Sequence, residues 1–400
     1  MPRSLALLLL CVGSLLAQLK PLLVISVDGL DYRYLRDRHK MGLKIPNLRA
    51  FLARAEVADG VTGVFGTVTW PSHTSIITGV RPEVHGILNN KRPAAEGGDY
   101  YWTPALLKAR TLWQRVREAG GKTAAITWPV TADADIDFNL PEYFKRRNGG
   151  AMDIDAITEK CTPRDLVAQV RRQYPSFGTE WMDDRSRTLA TMYIVSKLKP
   201  HLTLLHLVDL DSEQHERGPF GAEANAMLEY TDELIGKILA VTPANFRVAI
   251  VSDHGFELTR RVLNPLVLLQ GSKATVTSGV VIARDAATAG LLEGKEGIGR
   301  RIPLAELALH APELAVGAVA AFEPAEGVLF GRGVDVLWPE HQPRGEHGLW
   351  PGRADYRSIY LVAGPGIAAR KSGPMSMLEI NGRLENLLGL GSHDAGSSAK

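Results

Sequence analysis

A chain of 400 residues, 45% hydrophobic and 22% charged, is long enough for one large core or for a core domain carrying an insert. Its formal net charge of +2 excludes nucleic-acid binding driven by bulk electrostatics. Its two cysteines are Cys11 and Cys161, and Cys11 sits in an apolar leader, so no disulfide framework stabilises the mature chain.

The chain opens on Met1-Pro2-Arg3 and an apolar run from Leu5 to Ala17, too short to span a bilayer comfortably and ending in small residues. Residues 1–17 read as a secretory signal peptide, which predicts a periplasmic or secreted protein with no stable membrane span. Leu22 to Val27 is a near-continuous apolar run, the mark of a strand buried on both faces, and it ends in Asp28-Gly29. Pro46 opens a helix through Ala55. Val68-Thr69-Trp70-Pro71-Ser72-His73-Thr74 reads as a loop turning into a helix, where a hydroxyl lies near outward-facing backbone N–H groups. A helix over Thr111–Ala119 closes at Gly120-Gly121, and the strand Thr123–Thr127 ends at Trp128-Pro129. A polar segment runs from Thr131 to Gly150. A helix over Arg185–Leu198 leads into the strand Leu202–Val208. The longest helical pattern is Ala222–Ala240, followed by the strand Arg247–Ser252, and Ser358–Val362 is the last clear strand.

Strands alternating with helices predict an α/β fold, a mainly parallel sheet with helices on both faces. Residues 258–335 break the rhythm. Their Ala- and Gly-rich composition, with short strands such as Val276–Ile282, predicts an inserted α+β cap subdomain within a catalytic domain of residues 18–390. The small polar tail 391–400 predicts disorder.

Three predicted strands end in acids: Asp28, then Asp209 and Asp211, then Asp253 with His254. Ligands of open parallel sheets bind beyond the carboxyl ends of the strands, so these acids should converge. Clustered carboxylates need positive charge between them, and a metal supplies it. Asp211 and His215 are four apart and share one side of a helical turn. Gly345-Glu346-His347-Gly348 adds a histidine between glycines. Carboxylates with imidazoles suit Zn2+, though another divalent ion is possible. Asp28, Asp211, His215, Asp253, His254 and His347 are too many ligands for one open catalytic ion and about right for two.

Together these stretches resemble the alkaline phosphatase superfamily. Within it, the chain resembles the nucleotide pyrophosphatase/phosphodiesterase (type I phosphodiesterase) family. The matching residues are Val27-Asp28-Gly29, Thr69 to His73, Thr78-Gly79, Pro82 to Ile87, Asn89-Asn90, Trp128-Pro129, Asp211 to His215 with Gly218-Pro219, Ser252 to Gly255 and Gly345 to Gly348. The resemblance implies an alkaline-phosphatase-like α/β/α sandwich holding two Zn2+ per chain. Asp28, Thr69, Asp253 and His254 would hold one ion; Asp211, His215 and His347 would hold the other. It implies Thr69 as nucleophile through a phosphothreonine intermediate, Asn90 on a phosphoryl oxygen, Trp70 stacking on a nucleobase and Tyr143 as a second aromatic wall. The implied activity is hydrolysis of phosphodiester or pyrophosphate bonds in a small-molecule substrate such as a nucleotide. His73, His85 and His206 lie in matching stretches but match no ligand position, and Tyr101 and Trp102 read as packing residues. The stretch after Asn90, Lys91-Arg92-Pro93 into Gly97 to Trp102, lacks the Met-Tyr-Asp usual in animal members of the family, which weakens a claim for nucleotides in particular.

Within the superfamily, Thr69 excludes the formylglycine site of sulfatases. A phosphomonoesterase is the alternative activity, although no Lys-x-Arg pair follows the Thr123–Thr127 strand to hold the extra phosphate charge. A secreted non-catalytic metal-binding homologue is the alternative of another class, and the intact Thr69 argues against it.

Overall fold

Strand β1 (Leu22–Val27) is buried along its whole length. Leu23, Ile25 and Val27 enter one apolar core, and Leu22 and Val24 enter another. A strand apolar on both faces must be covered on both, and that requirement sets the architecture. The computed structural model describes residues 19–144, 154–179, 181–331 and 335–391. The expected leader lies outside them, as does the expected tail beyond Gly391.

Seven further strands flank β1: β2 (Glu56–Val57), β3 (Thr123–Ile126), β4 (Phe138–Leu140), β5 (Leu202–Leu207), β6 (Arg247–Val251), β7 (Tyr360–Ala363) and β8 (Arg370–Lys371). Their order in the sheet is β8-β2-β7-β6-β1-β5-β3-β4. The run from β6 to β4 is parallel, and β7 is antiparallel to both of its neighbours. One face is covered by helices α2 (Asp184–Tyr193) and α4 (Ala222–Val241), which contribute Ala190, Leu228, Ile235 and Ile238. The other is covered by α1 (Thr69–Thr78) and α5 (Leu378–Leu388), through Ile76, Ile77, Ile380 and Leu384. This is an α/β sandwich around a mostly parallel sheet.

A second, four-stranded antiparallel sheet lies between Ala274 and Pro324. Apolar side chains pack on both of its sides, Val281 and Phe322 on one, Ile282 and Ala321 on the other. The expected strand Val276–Ile282 is instead a hairpin of Ala274–Val276 and Val281–Ala283. Thr277 turns the chain: its N–H donates to the Val280 carbonyl, and its hydroxyl accepts from Val280 N at 3.1 Å. Gly279 sits at this tip because a Cβ there would meet backbone atoms of Gly348, Leu349 and Trp350 within 2.7 Å.

The helix expected over 185–198 stops at Tyr193 and closes in a wider turn over Ile194–Leu198. Pro200 bars a helical conformation for the residue before it, and Lys199 takes φ 47°. The polar segment 131–150 conceals β4, whose three residues are too few for a visible alternation.

Candidate active site

The parallel run puts the carboxyl ends of β1, β5 and β6 on one edge of the sheet. Asp28 directly follows β1, and Asp253-His254 lies just past β6. β5 passes through Val208 into helix α3 (Asp209–Arg217), where Asp211 and His215 stand one turn apart. His347 follows the short strand Arg344–Glu346, which pairs with Glu257–Thr259 just beyond His254.

Two groups of donors result. Asp28, Asp253 and His254 are buried, and one donor atom from each lies within 4.8 Å of the others. Asp211, His215 and His347 form a second such group, half-buried. His254 Nε2 is 3.0 Å from Asp253 Oδ2 and 3.3 Å from Asp28 Oδ1. His215 Nε2 is 3.6 Å from Asp211 Oδ2, and His347 Nε2 is 3.8 Å from Asp211 Oδ1. The His254 and His347 rings stack at 3.8 Å, so the groups adjoin.

Each histidine is oriented from behind. Nδ1 of His215 donates to Gly345 O at 2.9 Å, that of His347 to Thr67 O at 3.1 Å, and that of His254 to Gly255 O at 3.3 Å. A carbonyl only accepts, so every Nδ1 carries a proton, which leaves each Nε2 as the nitrogen turned toward the site. Among the described residues, Asp28 Oδ1, Asp211 Oδ1, Asp253 Oδ2 and His254 Nε2 are buried without a hydrogen-bond partner. Orphaned donors of this type, converging on one place, fit divalent ions with a preference for Zn2+.

The electrostatics point the same way. Burial, then the charges of Asp211 and Asp253, push the Asp28 carboxyl well above the usual range. Burial also raises Asp211, with Asp253 adding to it. Burial works against the Asp253 carboxylate too, but His254 and His73 outweigh it and hold its pKa below the usual range. Burial opposes charge on His254, yet Asp253, Asp28 and Asp211 push its pKa up to about 9. Burial and the neighbouring His254 and His215 hold His347 well below the ordinary value. Opposed shifts among touching, buried groups are the pattern of a functional cluster.

Thr69 begins α1, after Val68 in extended backbone as the N-cap. Its neighbours tie it to both groups. Thr67 O holds His347, and Thr69 O accepts from His73 Nδ1 at 2.8 Å, a nitrogen that is also 3.6 Å from Asp253 Oδ2. Asn90 Oδ1 accepts from Trp70 N at 2.9 Å, which takes one first-turn amide and leaves the Asn90 amide group as the donor.

Trp70 departs from expectation. It is 4% exposed, its indole N–H donates to Tyr101 O, and Tyr100, Trp102 and Phe144 surround its ring. It is the floor of an aromatic cluster rather than an open stacking face. Tyr101 is buried, as packing predicts. Trp102 is half-buried, stacked on Tyr100 at 4.8 Å and edge-on to Tyr143 at 5.4 Å. Tyr143 is likewise half-buried on the outer layer.

Sequence reasoning passed over the residues that hold the donors. His206, on β5, reaches Asp28 Oδ2 with Nε2 at 2.9 Å. Gln214 joins Gly29 O and the Tyr34 hydroxyl, each at 3.0 Å. A polar residue inside an otherwise apolar strand was the available signal for His206; nothing local marked Gln214.

The family model for type I phosphodiesterase / nucleotide pyrophosphatase matches residues 22–306. Ectonucleotide pyrophosphatase/phosphodiesterase family member 1 from Mus musculus is 25% identical over 249 residues, 59% of this chain and 24% of that protein. A bis(5'-adenosyl)-triphosphatase from Bos taurus is 27% identical over 254 residues, 58% of this chain and 47% of its own length. The chain thus spans from about a quarter to just under half of the length of these curated relatives. The solved structure of murine ectonucleotide pyrophosphatase/phosphodiesterase 5 matches with TM-score 0.65 at 20% identity, covering 95% of this chain and 98% of that one, so the fold is shared. With 22–306 matched, this chain belongs to the type I phosphodiesterase/nucleotide pyrophosphatase family.

Proposed function

We propose that the protein hydrolyses phosphodiester or pyrophosphate bonds, with nucleotides as the substrate class, through a phosphothreonine intermediate on Thr69. The observation that carries this reading is the pair of adjoining donor groups beside a threonine at a helix start. Asp28, Asp253 and His254, with Thr69, would hold one Zn2+, and Asp211, His215 and His347 the other. When bound, such ions lower the pKa of a hydroxyl and neutralise charge on a phosphoryl group. Thr69 Oγ attacks phosphorus, the P–O bond to the leaving alcohol or phosphate breaks, and the Thr69 proton leaves to solvent. Water then cleaves the phosphothreonine and returns Thr69. The Asn90 amide and the amino end of α1 face the phosphoryl oxygens, where charge accumulates. The half-buried Tyr100, Trp102 and Tyr143 offer an apolar wall to the second ester substituent, which favours a diester over a monoester. Export to the periplasm or medium completes the proposal.

The test compares bis(p-nitrophenyl) phosphate with p-nitrophenyl phosphate, with and without chelator. Faster diester turnover that EDTA abolishes and Zn2+ restores is expected. Equal or faster monoester turnover assigns a phosphomonoesterase instead. Undiminished turnover in Thr69→Ala overturns the intermediate.

A further inference from the structure

His206 is 1% exposed and lies on β5 opposite Ser26 of β1. Both of its ring nitrogens face acceptors. Nε2 is 2.9 Å from Asp28 Oδ2; Nδ1 is 3.1 Å from Thr127 O and 3.5 Å from Glu142 Oε2. A lone pair cannot point at a carbonyl or at an ionised carboxylate, so Nδ1 donates, and Nε2 donates as well once Asp28 is ionised, as a metal ligand is. Glu142 is 3% exposed, and its Oε2, which has no hydrogen-bond partner among the described residues, faces His206 and feels the charge of the buried Arg187.

The support behind this row is rigid. Thr127 takes φ 46°, a left-handed conformation that a β-branched residue adopts only when its surroundings impose it. That turn aims the Thr127 carbonyl at His206 Nδ1. The Thr127 hydroxyl donates to His206 O at 2.9 Å and accepts from Arg187 Nε at 3.0 Å. Arg187 is buried and paired with Asp184 at 3.1 Å.

We propose that Glu142, His206 and Asp28 form a buried positioning relay. Resting on the ligand reading above, His206 occupies Asp28 Oδ2 and so leaves Oδ1 as the one oxygen directed at the Asp253–His254 group. Glu142 and the Thr127 carbonyl hold the ring in that pose. His206 and Glu142 are positioning residues: neither belongs to a donor group, and they act through Asp28. Carboxylate–histidine partners behind a metal ligand typically change metal affinity by about 10–100-fold when removed.

The experiment titrates the full-length, metal-stripped protein with Zn2+ against a chromophoric chelator and records the melting temperature of the metal-free form. Wild type is expected to bind two ions per chain. His206→Ala and Glu142→Gln should each weaken one ion by about 10–100-fold and leave the other unchanged. His206→Gln, whose amide reproduces the donor toward Asp28, should recover most of the lost affinity. If His206→Ala does not fold, the isosteric Glu142→Gln decides alone. Wild-type affinity for both ions in a folded variant overturns the relay while leaving the ligand assignment standing. Equal weakening of both ions, with a matching fall in metal-free stability, also overturns it, because that is the signature of general loosening. A wild type that binds no Zn2+ overturns the ligand assignment itself, and the relay with it.

Discussion

Gly345→Ala should disable the Asp211–His215–His347 group without touching any donor. A Cβ at Gly345 would lie 2.1 Å from the Gln214 carbonyl oxygen and 3.0 Å from a Phe256 ring carbon, where ordinary contact begins at 3.4 Å. Something must therefore yield by about 1.3 Å. Helix α3 cannot easily do so. The Gln214 carbonyl already accepts Gly218 N, and the Gln214 side chain is anchored on Gly29 and Tyr34. The strand Arg344–Glu346 moves instead, and it carries two consequences. Gly345 O orients His215, and His347 follows two residues later. Overpacking of this kind costs about 1–3 kcal/mol of stability. A displacement near 1 Å at a reacting centre costs on the order of 100-fold in rate. The assay is kcat/KM on bis(p-nitrophenyl) phosphate with bound Zn2+ counted in parallel. A folded Gly345→Ala protein should lose about 100-fold in kcat/KM and retain one ion of two. Wild-type turnover with both ions bound would refute the reasoning that this strand sets the histidine geometry.

Three other outcomes follow from the structure. Asp232, fully buried on α4, accepts from Asn47 N, Asn47 Nδ2 and Leu48 N at 3.1, 2.9 and 2.6 Å. Asp232→Ala leaves the start of the helix Pro46–Leu52 unpaired and should cost about 1.5–3 kcal/mol in urea unfolding; a loss below about 1 kcal/mol contradicts the assignment. His85 is buried, with Nδ1 accepting from Ile87 N at 3.1 Å, and burial pushes its pKa from 6.5 down to about 4. The unfolded chain binds this proton first, so the stability is complete above about pH 6.5 and is lost as pH falls toward 4. Urea midpoints of His85→Gln should then fall less steeply over that window than those of wild type, and parallel curves would count against it. Removing metal with EDTA should lower the melting temperature and re-adding Zn2+ should restore it, because like charges in the donor cluster lose their counter-ion; an unchanged melting curve argues against bound metal.

Much of the architecture was legible in the chain itself. The runs 22–27, 202–207 and 247–251 are mostly apolar without alternation, as a strand covered on both faces requires, and each ends in or near an acid. A parallel sheet binds beyond the carboxyl ends of its strands, so Asp28, Asp211 and Asp253 are expected on one edge, while the order of the strands comes from the structure. What depended on tertiary structure is everything that acts across the chain at close range. The family resemblance implies Trp70 as a stacking platform, yet residues thirty positions on fold over it and make it a floor. The strand expected over 276–282 breaks into a hairpin because Gly279 must pass against the backbone at 348–350. In the sequence Gly345 is only a glycine near His347, whereas in the fold its hydrogen-sized side chain lets a strand lie on α3 and aim two histidines. Residue type and spacing determine which groups can bind charge. Packing alone decides which oxygen of Asp28 is held by His206, because that choice depends on contacts between residues 178 positions apart.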